Sequence, residues 1–242
     1  MAQKNGYFQL DIRENGTWIT LYPAGEGGKA LRFDMVDAFL TKWRIGYEKK
    51  ELSDKLQKLT QKEEFRLTME RIHPMHESSL VEVSPDHLTA TMTLFPPCIG
   101  KDIMSRDELI GELVHAGVKY GLQEELLDRI VQEREYCTPL ELAKATLPVE
   151  GKSAEIKYFF NTDLTLKPKM LEDGSVDFHT LDTICPVHAG DLLAELTPAV
   201  PGRPGIDVCG KPIKPVAVNN LVLRHANRAH LSEDGLKMYA DA

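Results

Sequence analysis

The sequence predicts an α+β fold: a duplicated ββα-type domain over residues 1–148, followed by a small all-β barrel or sandwich module over residues 149–242. Three observations carry this expectation. Helical periodicity of apolar residues is confined to the first part, a strand-strand-helix pattern occurs there twice, and beyond Pro148 only short apolar runs remain between Gly, Pro, Asp and Asn. With 242 residues, 42% of them hydrophobic, the chain can bury a sizeable core.

Tyr7 to Ile12 and Thr17 to Tyr22 alternate as two strands, with a hairpin turn signal at Glu14-Asn15-Gly16 and a strand stop at Pro23. The loop AGEGG leads to Asp34, read as an N-cap. Met35, Val36, Phe39, Leu40 and Trp43 then fall on one helical face and are expected in the core. A more polar helix is predicted from about Lys50 to Leu59, and a strand over Phe65 to Met69.

The pattern returns without a gap across its best part. Thr20-Leu21-Tyr22-Pro23 matches Thr93-Leu94-Phe95-Pro96, and the same offset of 73 carries Asp34 to Asp107, Leu40 to Leu113 and Tyr47 to Tyr120. The copies span about residues 6–69 and 79–132, and two copies of one unit with helices on one face of a sheet are the economical reading. A helix from about Gln123 closes the second copy. Leu140 to Ala145 reads as a short helix capped by Thr138 with Pro139 in its first turn, and PVEGK at Pro148 to Lys152 as a linker.

From Ala154 onward the runs EIKYFF, NTDLTLKPKM, SVDF and IKPVAV are spaced like short strands. The stretch Val187 to Gly210 is rich in Gly and Pro, whose backbone preferences suit tight corners in β structure. A final strand-turn-strand pattern surrounds Asp234-Gly235.

The formal charge of −8 and pI near 5.5 oppose polyanion binding, so no nucleic-acid partner is expected. Cys98, Cys137, Cys185 and Cys209 form no C-x-x-C pair and read as free thiols in a reducing cytosol. The amino terminus lacks an apolar targeting segment and no run is long enough to span a membrane, which together give a cytoplasmic expectation.

Several clusters invite a chemical reading. HPMHE, with His73, His76 and Glu77, is the most metal-like, yet two ligands about a proline without a matching third read as solvated linker residues. GRPG within Gly202 to Gly210 lacks the helices that a nucleic-acid-clamping Gly-x-x-Gly loop joins. Lys169 is the sole passing candidate for a lipoyl or biotinyl carrier lysine, and it reads instead as the approach to the Asp173-Gly174 turn. His225 and His230, with Arg224 and Arg228, read as a polar strand edge. Asp173, Asp177, Asp182, Asp191 and Asp207 are turn formers, so neither catalysis nor a cofactor is expected.

The ordered phrases GYFQLDIRENG, PAGEGG, VSPDHLTATMTLFPP, DGSVDF, VHAGDLLAEL, PGRPGIDVCGKPI and LSEDGLKMYA resemble the bacterial flagellar assembly protein A family, long catalogued as of unknown function, over nearly the whole chain. The resemblance marks Asp173, Gly174, Asp177, Phe178, Gly190, Asp191, Gly202, Gly205, Asp207 and Gly210 as a structural family motif. It implies cytoplasmic proteins without enzymatic activity, in which a β-helical region and often a coiled coil follow the part seen here. In some polar-flagellated bacteria, members support flagellar assembly and interact with a sugar-phosphotransferase component in its unphosphorylated form. The expected function is therefore a non-catalytic cytoplasmic scaffold or adaptor, in flagellar assembly or cell-pole organisation, with a protein partner. The alternative is a ligand- or metal-responsive regulatory module using HPMHE or the polar carboxy-terminal edge.

Overall fold

The computed structural model describes residues 4–160, 162, 169–170, 176–177, 186–224 and 226–241. The amino-terminal alternation folds as a hairpin: β1 (Tyr7–Arg13) and β2 (Gly16–Tyr22) pair antiparallel from Tyr7↔Tyr22 to Arg13↔Gly16. Phe8, Leu10, Ile19 and Leu21 are buried on its inner face. α1 (Phe33–Lys42) and α2 (Lys49–Gln57) follow, and β3 (Glu63–Thr68) returns beside β2, giving sheet order β1-β2-β3. Helix α1 is held by burial of Val36, Phe39 and Leu40 and has no side-chain N-cap. Asp34, expected as that cap, lies inside the first turn paired with Arg32, which occupies the cap position. Trp43, expected in the core, is the residue that ends α1 and is 43% exposed.

The next stretch runs through the same order of elements: β4 (Ser78–Val83), β5 (Thr89–Phe95), α3 (Arg106–His115), α4 (Glu124–Glu133) and β6 (Leu140–Lys144), with sheet order β4-β5-β6. An offset of 73 residues carries Gly16–Tyr22 onto Thr89–Phe95 and Phe33–Lys42 onto Arg106–His115. Helix α3 starts at Ser105, whose side chain accepts the Glu108 amide while Glu108 reaches back to the Ser105 amide, a reciprocal cap. Asp107 again sits one step inside the helix.

Leu140–Lys144 is a strand where a short helix was expected. It pairs with β5 from Thr89↔Lys144 to Met92↔Leu140 across a bulge, and buries Leu142 and Ala143. On its other side the Gln123 amide donates to Leu142 O at 2.7 Å and the Lys144 amide to Gly121 O at 3.0 Å. A helix this short does not recover its nucleation cost, whereas the strand satisfies its backbone on both sides.

Two apolar clusters result. One gathers Phe8, Ile19, Leu21, Val36, Phe39 and Leu40, the other Met92, Leu94, Leu109, Leu113, Leu127 and Ile130. Phe95, at the end of β5, packs into the first cluster, with its ring 4.9 Å from Phe39 and 6.2 Å from Phe8. The two sheets therefore share apolar packing.

The chain divides into two compact units, Met1–Leu147 with Ile206–Ile213, and Pro148–Gly205 with Lys214–Ala242. Beyond the first six strands come β7 (Glu155–Tyr158), β8 (Lys169–Met170), β9 (Val176–Asp177), β10 (Leu192–Thr197), β11 (Gly205–Ile206), β12 (Pro212–Ile213), β13 (Ala229–Leu231) and β14 (Lys237–Ala240). Within the second unit, an antiparallel sheet has the order β13-β14-β10-β7. β8 pairs with β9, and β11 with β12, as two-stranded ladders.

A barrel or sandwich was expected here, and among the described residues no sheet closes into a barrel. Pro201, Pro204, Pro212 and Pro215 lack the amide that a continuous ladder needs, so this region makes single bridges and two-residue pairs instead. The expected linker Pro148–Lys152 is bonded backbone to backbone: Val149 exchanges hydrogen bonds with Arg203 at 2.9 and 2.8 Å, and Lys152 with Val200 at 2.8 Å. No helix among the described residues is long and apolar enough to cross a membrane.

Candidate functional site

The HPMHE phrase lies in the connection between β3 and β4; His76 and Glu77 line one cavity with Asp102 and Glu108, and His73 lines another. His73 and His76 are exposed, with His76 Nδ1 3.5 Å from Asp102 Oδ2. Glu77 points inward, and its side chain has no exposed surface. Its Oε1 accepts the Tyr136 hydroxyl at 2.6 Å, its Oε2 accepts the Met104 amide at 2.9 Å, and Arg134 Nη1 stands 3.3 Å from Oε2. The Glu77 amide donates to Asp102 O at 3.0 Å, and Arg134 Nη2 donates to Met104 O at 2.5 Å.

This arrangement ties the β3–β4 connection to the segment after α4. Burial first, and then the hydrogen bond to Glu77, push the Tyr136 phenol well above its ordinary pKa, so it stays a neutral donor. A carboxylate held by an amide, a phenol and a guanidinium is an internal anchor. Tyr136 and Arg134 were not found from sequence, because they lie nearly sixty residues from Glu77 and the phrase REY carries no local signal. Among the described residues no group of three or more His, Cys, Asp or Glu side chains is arranged to hold a metal.

The glycine- and proline-rich stretch is built into backbone geometry at several points. Gly190 takes φ +91° and donates its amide to Ala240 O at 2.9 Å, while Asp191 Oδ2 accepts the His188 amide at 2.6 Å. That turn launches β10 beside β14. A Cβ on Gly202 would lie 2.6 Å from Val149 O and 2.7 Å from the Pro215 ring, so only hydrogen fits there. Gly205 is buried at the start of β11.

Asp207 is buried in the first unit, and its Oδ1 accepts the Lys211 amide at 2.7 Å. Gly210, at φ +83°, completes this turn by donating to Asp207 O at 3.0 Å. Between them Val208 is fully buried, its carbonyl accepts the Lys119 and Tyr120 amides at 2.8 and 3.1 Å, and its amide donates to His87 O at 3.0 Å. Linear order groups Asp207 to Gly210 with the later strands, whereas Val208 packs with Leu113, Val118 and Leu127. An apolar residue between Asp and Gly in a β-rich stretch gave no sequence signal for a long-range insertion.

Asp177 lies in β9, paired with Lys169, while Asp173, Gly174 and Phe178 lie outside the described residues. Asp182, Cys185 and His225 do as well. His230 is exposed, with Nδ1 2.6 Å from Asp241 Oδ1 and its ring stacked near Tyr239. Cys98, Cys137 and Cys209 are free thiols. Burial pushes the Cys98 thiol upward and the Cys137 thiol up to about 12, which leaves both poorly reactive.

A family model described as Flagellar Assembly Protein A N-terminal region matches residues 79–242. The matched stretch starts inside β4 and takes in α3, α4, the Asp207–Gly210 turn and the sheet of the second unit. No curated protein matches, and no solved structure matches.

Proposed function

This chain belongs to the flagellar assembly protein A family, and on that premise we propose that it is a non-catalytic cytoplasmic scaffold or adaptor that binds a protein partner in flagellar assembly or cell-pole organisation. The observation that carries the reading is where the chemistry-bearing side chains are used. Glu77 is consumed by Tyr136, Arg134 and the Met104 amide, and Asp191 and Asp207 by amides of their own turns. They hold backbone in place and present no reactive group to a substrate. A metal-responsive role would need the Glu77 carboxylate free to join His73 and His76, and it is already bonded to the Tyr136 hydroxyl and the Met104 amide.

We also infer that the first unit is a duplicated ββα-type domain, each copy closed by a third strand. The shared offset of β2 with β5 and of α1 with α3 supports this, together with the matching order of both sheets. Duplication yields two similar faces on which a partner can be bound while the cores stay sealed.

The partner we favour, from the family resemblance, is a sugar-phosphotransferase component in its unphosphorylated form. The formal charge of −8 fits such a preference, since a phosphoryl group adds negative charge to the approaching surface. Isothermal calorimetry of this chain against that component in both states tests the proposal. Saturable binding to the unphosphorylated form, weakened by phosphorylation, is expected; absence of binding to either form would reject the partner, and turnover of a substrate by the chain would reject the non-catalytic role.

A further inference from the structure

Cys209 and His87 form a thiol–imidazole pair that the scaffold reading leaves unused. Sγ lies 3.1 Å from Nδ1, and the two residues are 122 positions apart in sequence. Both are half-buried, open enough for a small reagent, whereas Cys98 and Cys137 are buried. The pair is fixed from both sides. The turn at Asp207–Lys211 holds Cys209, and the bond from the Val208 amide to His87 O at 3.0 Å joins that turn to the residue bearing the imidazole.

The placement of His87 is informative. In the β4–β5 hairpin, Ser84 Oγ accepts the Thr89 amide at 3.0 Å and donates to Asp86 Oδ1 at 2.6 Å, and Asp86 Oδ1 accepts the Leu88 amide at 3.1 Å. The Ser232–Lys237 turn repeats this bonding: Ser232 Oγ with the Lys237 amide and Asp234 Oδ1, and Asp234 Oδ1 with the Leu236 amide. The left-handed position of that turn is Gly235, at φ +68°; here it is His87, at φ +58°. The backbone geometry thus favours glycine, and this chain places an imidazole there against a thiol.

We propose that Cys209 is a site of reversible oxidative modification that takes low-molecular-weight disulfides, with His87 receiving the thiol proton. Cys209 Sγ forms a bond to one sulfur of the disulfide as the disulfide's own S–S bond breaks. The thiol proton passes to His87 Nδ1 and on to the departing thiolate. Cys209 is oxidised to a mixed disulfide, and the departing half is reduced to a thiol.

Incubation of the whole chain with oxidised glutathione, followed by peptide mass mapping over time, tests this. Cys209 is expected to acquire glutathione at least about tenfold faster than Cys98 and Cys137, and faster in the folded chain than in urea. His87→Asn keeps a residue that tolerates the left-handed turn and should slow Cys209 by about tenfold or more, with Cys98 and Cys137 unchanged. If Cys209 reacts no faster folded than unfolded, or if a folded His87→Asn chain reacts like the parent, the proposal fails. Should His87→Asn not fold, the folded-to-unfolded rate ratio of Cys209 in the parent decides alone.

Discussion

Glu77 shows how a residue that looks like a ligand can be an anchor. Its side chain is wholly buried and faces Arg134, whose side chain is 13% exposed, so removing the carboxylate leaves a cation in a low-dielectric place with one partner fewer. Glu77→Gln is expected to cost about 3 kcal/mol, read as a lower urea midpoint at unchanged slope. His76→Ala, on an exposed side chain, should stay within about 0.5 kcal/mol of the parent. From sequence all three HPMHE residues were read as solvated linker residues; His73 and His76 are exposed, but Glu77 is buried, because Tyr136 and Met104, far along the chain, bind its carboxylate. At Gly202 a tight backbone corner was expected from composition; the structure shows instead a close approach of neighbouring backbone, where a Cβ would meet Val149 O at 2.6 Å. Gly202→Ala should cost about 1–3 kcal/mol by thermal unfolding, because the obstruction is backbone that cannot rotate away.

Elements with strong local signals were legible in the sequence, and elements made by distant pairing were not. The β1–β2 hairpin and the four helices among the described residues follow from alternation, turn residues and apolar period. Two caps were misplaced by two residues each, Asp34 for Arg32 and Asp107 for Ser105, whose pairing with Glu108 closes α3. β6 was hidden because LELAK has good helix formers, and only β5 and Gly121 make it a strand.

The reciprocal cap also sets a pH response. The Ser105 amide and hydroxyl hold the Glu108 carboxyl below its usual range. The Ser84 hydroxyl and Leu88 amide do the same for Asp86, as do the Ser232 hydroxyl and Leu236 amide for Asp234. A depressed folded-state pKa means that the unfolded chain takes up protons first, so this stability is present above the ordinary carboxylate range and is lost as pH falls through it. The unfolding midpoint should therefore drop between about pH 5 and about pH 2, and Glu108→Gln should flatten part of that fall. Truncation of the paired core leucines, Leu40→Ala in α1 or Leu113→Ala in α3, should each cost about 2–5 kcal/mol by chemical denaturation.

At the scale of the molecule, the first unit takes a segment from late in the chain. Ile206–Ile213 belongs with residues 1–147, and Val208 lies in the same apolar cluster as α3 and α4. Composition alone assigned the whole Gly/Pro stretch to a later β module, because glycine and proline announce turns without saying which core the intervening residues enter. The module was expected as a barrel or sandwich; among the described residues no sheet closes into a barrel, prolines interrupt the ladders between Pro201 and Pro215, and the sheet built on β10 has β7 and β13 as its outer strands. The family match spans both units, and the buried turn offers a structural reason for the phrase GIDVCG.

The phrase GIDVCG places Val208 in the apolar cluster of the first unit. Amide hydrogen exchange tests this placement most directly, at Val208, Lys119 and Tyr120, whose amides donate to His87 O and Val208 O. Protection comparable to that of the β5 amides, lost together with theirs in Val208→Asp, is the result expected. Exchange at the rate of an open loop, in a chain whose β5 amides remain protected, would contradict it.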